Sequence, residues 1–252
     1  MSALVRAELL KLRTVALPYW LLLTTLAFVL LGVLATILSA GVEGAPLQRD
    51  DPQLLARAVA SASGGNILVL VLGILALKQE FRFGTATPSF LVTPRRGTVL
   101  AAKLVSTILV GLVFALISLV FALAVSWITI SLRGDVLRFD STVVEVMLGV
   151  GLVLALYGPI GVAVGALVRN QIAAVVAALA WTFIVEQLVV ALWPEVGKWM
   201  PGGAASAVLQ LGEVATTRGD LLPVLGGALL LVAYAVVLSV VAATVTLRRD
   251  LT

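Results

Sequence analysis

Residues 19–40 read YWLLLTTLAFVLLGVLATILSA, 22 positions without a single charge. A helix rises 1.5 Å per residue, so about 20 such residues cross the ~30 Å hydrocarbon core of a bilayer. The run is therefore a membrane span. Five more follow: Gly65–Leu77, which reaches full length if it begins near Ala58, then Val99–Ile130, Val143–Val168, Ile172–Trp193 and Pro223–Leu247. Helices are required, because lipid leaves the edges of open strands unsatisfied. A barrel would need alternating segments of about ten residues, and these runs are continuously apolar. The second span is the least regular, with Gly64, Gly65 and Asn66 inside it. The third exceeds the required length and is expected to tilt or project into water.

Composition agrees. Of 252 residues, 61% are hydrophobic and 12% charged, with a mean hydropathy of +1.15. A soluble domain carries about 25% charged residues. The expected fold is an all-α integral membrane domain of six transmembrane helices. There is no cysteine, which excludes disulfides, Fe–S clusters and thiolate chemistry. There is no histidine either, which excludes Ser-His-Asp and typical zinc chemistry. No catalytic, metal or cofactor site is expected in the chain itself.

Lysine and arginine set the orientation. One side of the six spans collects eleven: Arg6, Lys11, Arg13, Lys78, Arg82, Arg95, Arg96, Lys103, Arg169, Arg248 and Arg249, against three acids. The other side has six, Arg49, Arg57, Arg133, Arg138, Lys198 and Arg218, against nine acids. Both termini are expected to be cytoplasmic. The basic residues hug membrane ends, which suits anionic lipid and argues against nucleic acid. Tyr19 and Trp20 mark an inner end, and Trp127, Trp193 and Trp199 mark outer ends.

The leader, 1–17, reads as an amphipathic interfacial helix. Val5, Leu9, Leu12 and Ala16 share one face, Arg6 and Arg13 flank it, and Pro18 separates it from span one. The apolar run behind it is too long for a cleaved signal peptide. No internal repeat stands out.

Between spans two and three lies KQEFRFGTATPSFLVTPRRG, 78–97. Thr87-Pro88 and Thr93-Pro94 are helix-start signals. They predict a short helix, Pro88–Val92, and a second starting at Pro94 and running into span three. Phe90, Leu91 and Val92, beside Arg95 and Arg96, make an apolar knob with a basic rim. Two readings stay open on these residues alone: a docking element, or a solvated loop whose charges only set topology.

The run 80–103, EFRFGTATPSFLVTPRRGTVLAAK, resembles the cytoplasmic segment of ABC-2 type transporter permeases. The matching residues are Glu80, Phe81, Arg82, Gly84, Thr85, Leu91, Thr93, Pro94, Arg95, Arg96 and Lys103; position 83, often His in that family, is Phe83. The likeness extends to the N-terminal helix, the six spans, ALVRNQIAAV (166–175) and WMPGGAASAVL (199–209). It implies one ABC-2 transmembrane domain over 1–252, with a coupling segment at 80–98 and an extracytoplasmic segment at 194–222. It implies that Glu80, Arg82, Gly84, Thr85, Phe90, Leu91, Thr93, Pro94, Arg95 and Arg96 engage a separate P-loop ATPase. A second permease subunit, identical or related, completes the assembly. ATP and Mg would be bound by the ATPase subunit, since this chain has no Gly-x-x-x-x-Gly-Lys-[Ser/Thr]. The resemblance implies export, across a bacterial plasma membrane, of an amphiphilic or lipidic substrate or a drug.

Inside the spans one acid is expected, Glu186 in WTFIVEQLVV (181–190), with no basic residue in any span to pair with it. It costs about 2.5–3.5 kcal/mol on insertion, against about −3 to −7 from the eleven Ile, Leu, Val and Phe residues of span five. Glu186 should face protein or water, with Thr182 one turn earlier on the same face. It is either a pathway or subunit-contact residue, or a packed acid bonded to neighbouring backbone. Gly161 and Gly165 permit close helix approach in span four, where Pro159 should kink the helix. KWMPGGAASAVLQLG, 198–212, is too short to cross and reads as an outer helix buried against protein. Two other classes are an ion-coupled secondary transporter and a non-transporting anchor that recruits a soluble partner. Scarce intramembrane charge argues against the first, and an adjacent reading frame for a P-loop ATPase separates the exporter from both.

Overall fold

The computed structural model describes residues 1–43, 45, 47–82, 96–136, 138–168, 170–211 and 221–248, with backbone alone at 78–82, 96 and 245–248. The described chain is helical, with no strand among the described residues. In order come α1 (Ser2–Thr14), α2 (Leu17–Ser39), α3 (Leu54–Ala60), a 3₁₀ stretch (Ser61–Gly65), α4 (Asn66–Arg82) and α5 (Arg96–Leu132). Then follow α6 (Ser141–Leu167), α7 (Gln171–Ala180), a π turn (Trp181–Val185), α8 (Glu186–Leu192), α9 (Pro194–Gly197), α10 (Pro201–Val208) and α11 (Val224–Arg248).

Among the described residues, six helical segments are long and apolar enough to cross a membrane: Leu17–Ser39, Leu54–Leu77, Gly97–Leu132, Ser141–Leu167, Gln171–Leu192 and Val224–Thr244. The chain is a multi-pass membrane protein of six apolar helices. Two of the six are interior. The second and fourth have 67% and 72% of their apolar windows buried, whereas the fifth and sixth have 17% each.

Glycine explains how the interior pair meets. A Cβ built at Gly161 would overlap the Leu70 carbonyl oxygen, and one at Gly73 would overlap that of Gly158. The backbones of α4 and α6 therefore touch, and only hydrogen fits between them. Gly111 plays the same part for α5 against Leu154. α6 runs as one helix from Ser141 to Leu167 through Pro159.

Three expectations need correction. The second span begins at Leu54, not near Ala58. The irregularity expected at its glycines is present, as the 3₁₀ stretch Ser61–Gly65, and α2 packs closely there: a Cβ at Gly65 would overlap Thr25, and one at Gly32 would meet Ser61 Cβ at 2.9 Å. The spans also hold basic residues, Arg57 and Lys103, both buried. Finally, Glu186 shares its status with Glu145, on the opening turns of α6, whose exposed carboxylate accepts from Gln210 Nε2 at 2.7 Å.

At the other end of α5, Arg133 donates to the Ile37 and Ala40 carbonyl oxygens, the latter at 3.0 Å. These oxygens lie at the C-terminal end of α2, where a cation also meets the negative end of the helix dipole.

α1 ends at Thr14, and Ala16 lies beyond it, exposed. Its inward face carries Val5, Leu9 and Leu12, half-buried, around a buried Glu8. The helix packs on α5, so this face meets protein.

Candidate functional site

Three polar loci stand out in an otherwise apolar bundle. The first lies where α4 ends and α5 begins. Of the expected coupling residues, Glu80 and Arg82 belong to the last turn of α4 and Arg96 opens α5, each described as backbone only. Gly84, Thr85, Phe90, Leu91, Thr93, Pro94 and Arg95 lie outside the described residues, as does the predicted helix Pro88–Val92.

Two turns into α5, Lys103 is 2% exposed. Its Nζ donates to Glu8 Oε2 of α1, and to the Ala76 carbonyl oxygen of α4 at 3.1 Å. Lys11 Nζ donates to Glu8 Oε1 at 2.7 Å. Three helices are thus pinned by one ammonium group. Burial alone would push the Glu8 carboxyl up. The charge of Lys103, its hydrogen bond and the contact with Lys11 outweigh that and hold the carboxyl below its ordinary value.

The second locus surrounds Glu186, which is 3% exposed at the start of α8. Its carboxylate accepts from the backbone N–H groups of Gly202 and Gly203. The local sequence accounts for this. Pro201 opens α10, so the next N–H groups have no partner within the helix. Glycine at 202 allows the approach, since a Cβ there would lie 2.8 Å from Glu186 Oε1. The positive end of the α10 dipole faces the acid as well. Tyr234 Oη, on α11, donates to the Trp199 carbonyl oxygen at 3.0 Å, between α9 and α10. Tyr157 is buried nearby on α6 and hydrogen-bonds Asn66. Thr182 lies in the π turn, half-buried, and its carbonyl oxygen accepts from Gln187 Nε2 at 3.5 Å.

The third locus is a cavity of about 310 Å³ between α2 and the α3–3₁₀ stretch. Phe28, Gly32, Thr36, Arg57, Ser61 and Leu211 are among its walls, and Glu186 is not. The Arg57 guanidinium is set by Gln53, whose Oε1 accepts from Nε at 3.3 Å and Nη2 at 2.9 Å.

Among the described residues no three His, Cys, Asp or Glu side chains group as metal ligands. No protein-family model matches the chain, and no curated protein matches it.

Sequence reasoning missed Glu8 and the packing role of Lys103. The available signal was position: Glu8 is one turn from both Val5 and Leu12 on the inward face of α1, where a lone acid needs a cation. Arg57 was missed because its span was begun too late.

Proposed function

We propose that the chain is the membrane-spanning subunit of an ATP-driven exporter of the ABC-2 permease type. In this reading it pairs with a second membrane subunit, the same or a related chain. Separate P-loop ATPase subunits supply ATP and Mg. The observation that carries the reading is the sequence run 80–103, which leads from the second of six apolar helices into the third. Six crossings return both termini to one side, and the excess of lysine and arginine makes that side cytoplasmic. α1 then rests at the inner surface of a bacterial plasma membrane.

The buried contact of Lys103 with Glu8 and Ala76 supports the reading in mechanical terms. Displacement of segment 80–98 by an ATPase subunit has a direct route into α1, α4 and α5. The largely apolar spans favour amphiphilic or lipidic cargo, or a drug of that character.

The test is co-expression with a P-loop ATPase encoded beside this chain. The ATPase co-purifies with the wild-type chain and is lost with Leu91→Asp, while membrane insertion is unchanged. The purified chain alone hydrolyses no ATP, for want of a phosphate-binding loop. ATPase retention by Leu91→Asp sinks the docking role, and robust hydrolysis by the chain alone sinks the division of labour.

A further inference from the structure

The face of α1 opposite Glu8 carries Ala3, Arg6, Leu10 and Arg13, spaced three or four residues apart, and all four are exposed. Leu10 is 61% exposed, with an arginine about one turn to either side of it. α1 holds three cations and one acid. The acid, Glu8, is turned inward, where its Oε2 accepts from Lys103 and its Oε1 from Lys11 at 2.7 Å. The outward face is left with positive charge only. Among the described residues neither guanidinium, of Arg6 or of Arg13, donates a hydrogen bond or joins an ion pair.

Two contacts fix the depth of this face. Tyr19 Oη, in the first turn of α2, donates to the Arg13 carbonyl oxygen at 3.0 Å. Tyr19 and Trp20 are both exposed at the end of the first span, and aromatic side chains so placed sit at headgroup level. Glu8, midway along α1, meets Lys103 near the start of the span Gly97–Leu132. α1 therefore lies along a membrane end. At that depth an exposed leucine meets acyl chains, and an arginine beside it meets phosphate.

We propose that the outward face of α1 binds an anionic phospholipid, its phosphate held between Arg6 and Arg13 and an acyl chain against Leu10. The two arginines stand seven residues apart, about 10 Å along the helix. Guanidinium groups hold phosphate through paired, charge-assisted hydrogen bonds. A choline headgroup would bring its own cation against the same positive face, so the site selects a net negative lipid. The inference needs only α1 at a membrane end, and it stands or falls apart from the exporter reading.

The experiment titrates the purified full chain, in dodecyl maltoside, with dioleoyl phosphatidylglycerol and counts bound lipid by native mass spectrometry. Phosphatidylglycerol binds saturably, and dioleoyl phosphatidylcholine binds at least tenfold less well. The double variant Arg6→Gln, Arg13→Gln weakens phosphatidylglycerol binding about thirtyfold, at roughly fivefold per charge. Arg138→Gln removes an exposed arginine beyond the other end of α5 and leaves binding unchanged. Soluble glycerol phosphate, which has the phosphate and no acyl chain, does not displace the lipid. Equal affinity for the two lipids overturns the proposal, as does wild-type affinity in the double variant. Matching loss in Arg138→Gln or displacement by glycerol phosphate also overturns it. Circular dichroism and gel filtration report folding. If the double variant does not fold, Arg6→Gln alone and the comparison of headgroups decide.

Discussion

Glu8 Oε2 accepts a hydrogen bond from Lys103 Nζ across 95 positions of sequence, with the two side chains 8% and 2% exposed. An ion pair so enclosed holds position more than it adds stability, because desolvation offsets most of the attraction. It fixes the N-terminal helix to the start of α5 in a single register.

Breaking it from one side is therefore costly. Lys103→Met leaves the Glu8 carboxylate enclosed without its main cation, and is expected to lower stability by about 3–5 kcal/mol. The double variant Glu8→Leu, Lys103→Met removes both charges and recovers most of the loss. Denaturant unfolding in detergent measures both. A double variant no more stable than the single would show that the pair is not the unit.

The same pair makes stability depend on pH. The Glu8 carboxyl lies lower in the folded chain than in the unfolded one, where the ordinary value is about 4.3. The unfolded chain thus binds a proton first as pH falls. The contribution of Glu8 is complete above that ordinary value and is lost as pH drops through the lower, folded one. Thermal midpoints between neutral and strongly acid pH should fall more steeply for wild type than for Glu8→Gln. Parallel curves would assign the acid sensitivity elsewhere.

Gly161→Ala drives a methyl into the Leu70 carbonyl and forces α4 from α6. A loss of about 1–3 kcal/mol is expected, as for other overpacked interiors. Gly151→Ala, in the same helix with nothing within 4 Å of the added carbon, is the control and should be neutral or stabilising by about 0.5–1 kcal/mol. Equal melting temperatures for the two variants would contradict backbone contact between the helices.

Glu186→Gln keeps an acceptor for the Gly202 and Gly203 N–H groups, and its stability should remain within about 1 kcal/mol of wild type. Glu186→Leu leaves those buried donors without an acceptor and should cost about 1–3 kcal/mol. Substrate-stimulated ATP hydrolysis in liposomes, measured on the folded Gln variant with its ATPase, tests the pathway role separately. Full activity there would remove Glu186 from the transport path.

The six apolar helices were legible in the sequence because each is a contiguous run, and hydropathy needs only neighbours in the chain. Polar contacts between distant elements were not. Glu8 and Lys103 were tallied separately, as one acid and one base on the same side, and such a tally is blind to distance. Gly202 and Gly203 follow Pro201 as a helix start, yet nothing local says which carboxylate will meet their N–H groups. Arg57 stayed hidden because a charge one residue before an apolar run reads as its flank, whereas the span begins at Leu54.

Glycine-mediated backbone contact between α4 and α6 also limits how this protein deforms. Side chains can change rotamer and act as bearings; touching carbonyls and α-carbons cannot. The two interior helices form an axle that turns only as one piece. Relative movement is then left to the outer spans, the first, fifth and sixth, whose apolar windows are 22%, 17% and 17% buried. A spin label on α8 or α11 should report any working stroke, and one on α4 paired with one on α6 should keep a constant separation throughout.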